Sequence, residues 1–184
     1  MNKHKKYDAS SIEVLEGLEP VRRRPGMYIG GTDNASMHHL FSEVIDNAMD
    51  EAVANFASFI EVKVETDNTI SIYDNGRGIP IDPHPNFPDK SALEVIMTTL
   101  HAGGKFSNKV YQTSGGLHGV GISVVNALSE FVDVEVYRDK KIYNQKFSKG
   151  YPTSKLKEVK KKTNKKGTKT VSYTHLTLPT KRIV

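Results

Sequence analysis

The chain has 184 residues, which suits one domain, and its 37% of hydrophobic residues is enough for a core. It contains no cysteine, which excludes disulfides and thiolate metal sites. No apolar run approaches the roughly 18 residues of a membrane span, and no apolar stretch follows the basic N-terminus as in a secretory signal. We therefore expect a cytoplasmic protein without membrane contact.

The net charge of +5 conceals an uneven distribution along the chain. Residues 1–138 contain 12 basic and 19 acidic residues, whereas residues 139–184 contain 14 basic and 2 acidic residues. Such a basic part either contacts nucleic acid or forms a solvated lysine-rich loop. Its aromatic residues are sparse, which argues against base stacking and favours the solvated loop.

The first predicted elements are short. A polar arm is expected at residues 1–11, and a helix at 12–18 would be capped by Ser10 or Ser11, because a serine side chain accepts from exposed N–H groups at a helix start. Residues 22–28 combine three arginines with a proline and a glycine, and this composition predicts a loop.

The longest helix is predicted over residues 37–55, with Ser36 as its cap. One face carries polar side chains spaced four residues apart, namely His39, Glu43, Asn47 and Glu51. The opposite side is apolar and would face the core. A polar stripe is usually a solvated face, but a stripe with a histidine and an asparagine and without lysine or arginine also suits a site.

A hairpin of two strands is predicted next, at residues 60–64 and 70–74, with its turn at 67–68. It places Asp74 at the exit of the second strand. Four prolines then predict an irregular loop over residues 80–88.

Helices are predicted at residues 92–100 and 122–128. The glycine-rich stretch 103–116 between them is expected to be mobile. A second hairpin is predicted at residues 132–147, turning at 139–140. The predicted elements contain no internal repeats.

The glycine run at residues 114–121 leads directly into the helix at 122–128. A helix N-terminus offers unpaired N–H groups and partial positive charge, and glycine lets the backbone approach phosphate oxygens closely. The run lacks the ending of a Walker A loop and the spacing of a dinucleotide fingerprint. It is either an anion site or a flexible hinge.

The segment Asp-Asn-Gly-Arg-Gly-Ile-Pro at residues 74–80 places one carboxylate before a tight turn. Asp74 can accept a hydrogen bond from an exocyclic amine such as that of adenine, or it can bond its own backbone in the turn. Arg77 is expected to pair with Glu51 or Asp50 and so to brace the loop.

The polar stripe of the long helix supplies the third candidate group. Glu43 can polarise a water for attack on a phosphoryl group, and His39, one turn earlier, can orient it. Asn47, one turn later, can supply an oxygen to Mg²⁺, which keeps most of its water and phosphate ligands.

Five segments match one protein family in order and spacing: residues 7–28, 43–48, 74–80, 100–106 and 114–129. On these segments the chain resembles the N-terminal ATPase domain of bacterial type II topoisomerase B subunits. That family belongs to the GHKL ATPase superfamily, with heat-shock chaperones, mismatch-repair ATPases and histidine kinases. Residues 19–28 and 105–109 are more similar to the corresponding segments of topoisomerase IV than to those of gyrase.

The resemblance implies an α+β fold, a two-layer sandwich in which a mixed, mostly antiparallel sheet carries helices on one face. ATP with Mg²⁺ would bind on the helical side. In the intact enzyme, ATP-driven self-dimerisation would close a gate on a DNA duplex, and a topoisomerase A-type subunit would be a partner. The transducer domain of the family is missing, so we expect this chain to bind ATP better than it hydrolyses it.

The resemblance also implies residue roles. Glu43 would be the general base supported by His39, Asn47 would hold Mg²⁺, and Asp74 would bind the adenine amine together with Thr168. The other implied nucleotide contacts are Tyr7 in the arm, Gly78, Ile79, Pro80 and Ile96 at the adenine, Gly103, Gly104 and Lys105 in a lid, and Leu117, His118, Gly119, Val120 and Gly121 at the phosphates.

Two other functions remain open. A nucleotide-binding module that senses ATP without useful turnover would not need a base at Glu43. A nucleic-acid-binding adaptor that uses residues 155–169 would bind DNA without nucleotide, but it leaves the five motifs unexplained.

The end of the chain departs from the family. Residues 171–176 read Val-Ser-Tyr-Thr-His-Leu. The nucleotide sequence GTC TCT TAT ACA CAT CT encodes these six residues, and it is a transposon end of sequencing libraries. We therefore interpret residues 171–184 as a non-native tail of translated adapter rather than a divergent natural end, and residues 1–170 as the ATPase domain. Sequencing the locus from an independent library tests this.

Overall fold

The computed structural model describes residues 8–31, 33–65, 69–103 and 120–174. Its helical elements are a 3-10 turn (Ala9–Ser11), α1 (Glu19–Arg23), α2 (Gly26–Ile29), α3 (Asn34–Val53), α4 (Ala92–Thr98) and α5 (Gly121–Leu128). Its strands are β1 (Ile60–Val64), β2 (Thr69–Asp74), β3 (Pro83–His84), β4 (Phe87–Ser91), β5 (Phe131–Arg138), β6 (Lys141–Ser148), β7 (Tyr151–Pro152), β8 (Lys157–Val159) and β9 (Gly167–Tyr173).

A seven-stranded sheet forms one layer, in the order β1-β2-β9-β5-β6-β7, with β8 also paired to β6. Every pairing in this sheet that the described residues make is antiparallel. The late strand β9 lies between β2 and β5 and joins the two predicted hairpins. It therefore brings the residues at the start of β9 next to the end of β2.

The helices form the second layer, on one face of the sheet. Ile72 pairs with Thr170, and Thr170 pairs with Val134, so these residues share a face. On that face Ile72 packs with residues of α3 and α5, while Val134 packs with Leu93 of α4 and its neighbours. The predicted fold class, a two-layer α+β sandwich, is confirmed.

Alternating side chains predicted both hairpins correctly. β1 pairs with β2 and β5 pairs with β6. The second turn has Asp139 and Lys140 at φ 52° and 61°, the left-handed backbone that tight hairpin turns require. Helices α4 and α5 also lie where they were predicted. The turn residues 67–68 and the stretch 104–116 lie outside the described residues.

The predicted N-terminal elements were wrong. The helix expected at residues 12–18 does not form, because Gly17 adopts φ 59° and the chain turns into α1 at Glu19. Pro20 lies in the first turn of α1, where its missing N–H costs nothing. The loop expected at 22–28 is instead the end of α1 followed by α2, which begins directly after Pro25.

The predicted cap of the long helix was also wrong. Asp33 is the N-cap, and its Oδ1 accepts from the Ser36 backbone N–H at 2.9 Å and from the Ser36 hydroxyl at 2.6 Å. These bonds from Ser36 hold the pKa of Asp33 below its ordinary value. Helix α3 therefore begins at Asn34, three residues earlier than predicted.

One further element differs from the prediction, and one was not predicted. The loop expected at residues 80–88 contains a short hairpin, in which β3 pairs with β4. Strand β9 continues to Tyr173, and its last three residues pair with β2 and β5. No helix of the described residues has the length and hydropathy to cross a membrane.

Candidate functional site

A cleft of about 190 Å³ opens between α2, α3 and the start of α5. It is lined by Tyr28, Ile29, Gly30, His39, Glu43, Val120, Gly121 and Val124. His39 and Glu43 lie one turn apart on α3 and both reach this cleft. The cleft thus brings together four residues that were predicted for a single site from distant parts of the sequence, namely His39, Glu43, Val120 and Gly121.

Gly121 lets α5 begin beside the Glu43 carboxylate. A Cβ at Gly121 would overlap the carboxylate of Glu43, so a larger residue would displace the acidic group. Val120 is the N-cap of α5, and no side chain of the described residues caps this end. The first N–H groups of α5 and the partial positive charge of its N-terminus therefore lie at the cleft.

Helix α3 connects this cleft to a second polar region. The Asn47 amide nitrogen donates to the Glu43 carbonyl at 2.7 Å, which fixes the orientation of the Asn47 side chain. Glu51 follows one turn later and reaches the segment after β2. Glu51 lies eight positions after Glu43 on the helix, a rise of about 12 Å along the axis.

Asp74 is a buried carboxylate at the end of β2, with 7% of its surface exposed. Its Oδ1 accepts from the Gly76 backbone N–H at 2.9 Å, which is the turn-forming role considered from sequence. Burial raises the pKa of Asp74 to about 6, and the Glu51 charge adds to this, while backbone hydrogen bonds to Gly76 and Thr168 oppose it. Such a buried acceptor suits a ligand that donates a hydrogen bond.

The loop after Asp74 is fastened to the start of β9. The Ile79 backbone N–H donates to the Thr168 hydroxyl at 3.1 Å. Gly78 has φ 77°, and a Cβ there would meet the Gly167 carbonyl at 3.0 Å. Gly167, at φ 103°, lies so close to the Asp74 carbonyl that a Cβ would overlap it. The predicted adenine residues Gly78, Ile79 and Thr168 are therefore neighbours of Asp74.

Arg77 has the bracing contact predicted for it. Its Nη2 lies 2.6 Å from Glu51 Oε1, and its Nε and backbone N lie 3.1 Å and 3.0 Å from Oε2. The guanidinium also lies 3.7 Å from the centre of the Phe56 ring. These contacts tie α3 to the loop after Asp74 and fix the distance between the two polar regions.

The remaining predicted residues are not joined to these by the described contacts. Pro80 follows Ile79 and is exposed, and Ile96 lies half-buried on α4 and is not among the residues that line the cleft. Gly103 is the last residue described before a gap. Predicted contacts that lie outside the described residues are Tyr7, Gly104, Lys105, Leu117, His118 and Gly119.

Sequence reasoning missed several residues that shape the site. Tyr28, Gly30 and Val124 line the cleft, and Gly30 ends α2 with φ 78°. The Gly-Gly pair at residues 30–31 was a signal for such a turn, but nothing in the sequence placed it opposite Glu43. Gly167 was noticed only as the neighbour of Thr168.

The chain is similar to proteins of one ATPase family. Residues 32–182 match the model of the histidine kinase-, DNA gyrase B- and HSP90-like ATPase family. The DNA topoisomerase 4 B subunit of Rickettsia felis is 72% identical over 144 residues, which are 78% of this chain and 22% of that protein. The corresponding protein of Bartonella bacilliformis is 64% identical over 163 residues, 89% of this chain and 24% of that protein.

The DNA gyrase B subunit of Thermotoga maritima is 56% identical over 163 residues, 89% of this chain and 25% of that protein. The chain thus spans about a quarter of the length of these curated relatives. Among solved structures, the 43K ATPase domain of Thermus thermophilus gyrase B, in complex with an aminocoumarin, superposes with a TM-score of 0.74. It is 44% identical, and the match covers 86% of this chain and 39% of that one.

Proposed function

Because this chain belongs to the family of histidine kinase-, DNA gyrase B- and HSP90-like ATPases, we propose that it is the ATP-binding part of a type II topoisomerase B subunit. The observation that carries the proposal is the spacing of two carboxylates along helix α3. Glu43 lies beside the N-terminus of α5, and Asp74 lies near Glu51, about 12 Å further along α3. An extended nucleoside triphosphate bridges such a distance.

The Asp74 end is the proposed adenine site. The Asp74 carboxylate accepts a hydrogen bond from the exocyclic amine of adenine, while Gly78 and Ile79 provide the wall beside it. Guanine presents a carbonyl oxygen where adenine presents the amine. Two acceptors would then face each other in a buried place, so the site selects adenine.

The Glu43 end is the proposed phosphate site. The N-terminus of α5 offers N–H groups to the phosphate oxygens, and the absence of a side chain at Gly121 lets the Glu43 carboxylate lie beside them. The chemistry of the residues fits Mg²⁺, since Asn47 offers an amide oxygen and the ion prefers oxygen ligands. When bound, Mg²⁺ neutralises charge on the phosphates.

Glu43 is the proposed general base. Its carboxylate takes a proton from the attacking water, whose oxygen bonds to the γ-phosphorus as the bond to the β-γ bridging oxygen breaks. His39, which shares the cleft, orients Glu43 from one turn earlier. The products are ADP and inorganic phosphate.

Functions of the intact protein follow from its relatives. The identities of 72% and 64% to the topoisomerase 4 proteins exceed the 56% to the gyrase protein, which supports topoisomerase IV over gyrase. We propose that ATP binding drives dimerisation of the intact protein around a DNA duplex. The A-type subunit is the proposed partner for strand cleavage.

The Glu43→Gln variant tests the catalytic part of this proposal. Glutamine keeps the shape but cannot take the proton, so hydrolysis should fall by about 10²- to 10⁴-fold while binding of an ATP analogue persists. Binding is measured on this chain, and hydrolysis on the chain joined to the remainder of a topoisomerase 4 B subunit. Glu61→Gln, on β1, is the matched control. Hydrolysis that survives in Glu43→Gln would remove Glu43 as the base.

A further inference from the structure

The lysine segment, residues 155–166, carries a concentrated and unneutralised positive charge. It contains seven lysines, all exposed, and one acidic residue, Glu158. Glu158 is bound to Lys141 outside the segment, with Nζ and Oε2 2.9 Å apart. Within the described part of the chain, no carboxylate forms an ion pair with the lysines of the segment.

Lysines elsewhere on the surface differ in this respect. Lys63 pairs with Glu61 at 3.0 Å, and Lys149 pairs with Glu130 at 3.0 Å. The lysines of the segment repel each other instead, and a partner of opposite charge relieves this repulsion. The segment thus has the electrostatic character of a polyanion site.

The backbone of the segment is held in place against the sheet. β8 pairs with β6, the Thr163 N–H donates to the Lys140 carbonyl at 3.2 Å, and the Tyr73 hydroxyl donates to the Lys166 carbonyl at 2.9 Å. The Lys165 ammonium lies 5.3 Å from the centre of the Tyr73 ring. A fixed backbone that displays the charges loses less conformational entropy on binding than a free loop would.

The composition of the segment selects one class of partner. It contains no aromatic residue on which unpaired bases could stack and no arginine for bidentate contacts to guanine. Leu156 packs against the core, which leaves Val159, 38% exposed, as the one exposed apolar side chain of the segment, too little to anchor it in a membrane. Lysines act as point charges on phosphate groups and suit a duplex backbone without regard to sequence.

We propose that the lysine segment binds the phosphate backbone of duplex DNA. The site belongs to this part of the chain and does not depend on the nucleotide site for its charge. The segment runs directly into Gly167 and Thr168, and the Thr168 hydroxyl accepts from the Ile79 N–H. Bound DNA would therefore lie next to the adenine end of the proposed nucleotide site.

The salt dependence of DNA binding tests this proposal on the full chain. A short fluorescein-labelled duplex is titrated by fluorescence anisotropy, in salt from about 50 to about 200 mM. If five lysines contact phosphates, affinity falls about 500-fold over this range. The triple variant Lys160→Gln, Lys161→Gln and Lys162→Gln leaves two contacts, so its affinity should fall only about 12-fold.

The control variant is Lys63→Gln, Lys90→Gln and Lys149→Gln, which removes the same charge from other exposed positions. It should keep the wild-type salt dependence. The proposal is overturned if both variants change binding equally, because net charge alone would then explain it. It is also overturned if the wild type binds phosphatidylserine vesicles but no duplex at low salt.

Circular dichroism and binding of an ATP analogue accompany each titration. These exposed substitutions should leave the circular dichroism spectrum and the affinity for the ATP analogue unchanged. DNA binding that is lost only in the segment variant, with nucleotide binding intact, supports the lysine segment alone. Absence of nucleotide binding in all three proteins would contradict the proposed nucleotide site and leave the DNA result standing.

Discussion

Replacing Asp74 with asparagine should raise the stability of the unliganded protein at neutral pH. Asp74 is 7% exposed, and burial raises the pKa of its carboxyl group from 3.8 to about 6. Because the folded-state pKa is above the unfolded one, the folded protein binds this proton more tightly. The contribution of the protonated Asp74 carboxyl group to the free energy of unfolding is therefore complete at low pH and is lost as the pH rises through about 6. At about 1.4 kcal/mol for each pKa unit, the ionised group costs about 3 kcal/mol at neutral pH.

Asparagine has nearly the same shape and keeps an oxygen for the Gly76 N–H, but it carries no charge. Relative to wild type, the unfolding free energy of Asp74→Asn should rise by about 2 kcal/mol between about pH 4 and about pH 7.5. Urea denaturation followed by circular dichroism across this range measures the difference. Asp89→Asn, at an exposed position, removes the same charge and is the control.

A constant offset between Asp74→Asn and wild type would refute the reasoning. Such an offset reports only how well the amide packs and finds hydrogen bonds, since neither effect titrates. The pH-dependent part belongs to the buried carboxylate alone. Its absence would mean that Asp74 is ionised as easily in the folded protein as in the unfolded chain.

Gly121→Ala should lower the affinity for an ATP analogue at least tenfold in calorimetry, because the new methyl group displaces the Glu43 carboxylate. It should leave the melting temperature unchanged, because alanine is a good helix former. The control Gly26→Ala meets only ordinary contacts of 3.8 Å or more and should leave the affinity for the ATP analogue unchanged. Equal effects of Gly121→Ala and Gly26→Ala would contradict the role of Gly121. Thr168→Val deprives the half-buried Ile79 N–H of its acceptor and should cost about 1–3 kcal/mol in urea denaturation. An unchanged free energy of unfolding would show that water replaces the Thr168 hydroxyl.

Local patterns predicted the sheet well. Strict alternation of apolar and polar side chains at residues 60–64 and 132–136 predicted both hairpins, because a strand with one buried face must alternate in this way. The same reasoning failed at residues 12–18, where apolar spacing suggested a helix. There the left-handed backbone at Gly17 and the helix start at Glu19 determined the path.

Capping was ambiguous for a physical reason. Asp33 and Ser36 are both good cap residues, and the structure uses both, the first as the acceptor and the second as the donor. A sequence does not reveal which of two such residues ends the helix. Only the bond between them settles where α3 begins.

The site itself depended on contacts between distant residues. Glu43 and Gly121 are far apart in sequence, and so are Ile79 and Thr168, yet each pair is in contact. Spacing on α3 indicated a polar stripe but not its partner, and the family resemblance supplied that link. The burial of Asp74, which produces its raised pKa, follows from the position of β9 beside β2, an arrangement that the local pattern did not specify.

Calorimetric binding of a non-hydrolysable ATP analogue with Mg²⁺ to this chain tests whether Asp74 forms an adenine site. We expect the wild type to bind the adenine analogue and to reject its guanine counterpart. Asp74→Asn should bind about 10- to 100-fold more weakly, the cost of a hydrogen bond to a charged group. Undiminished binding by the variant, or equal binding of the two bases, would contradict an adenine site at Asp74.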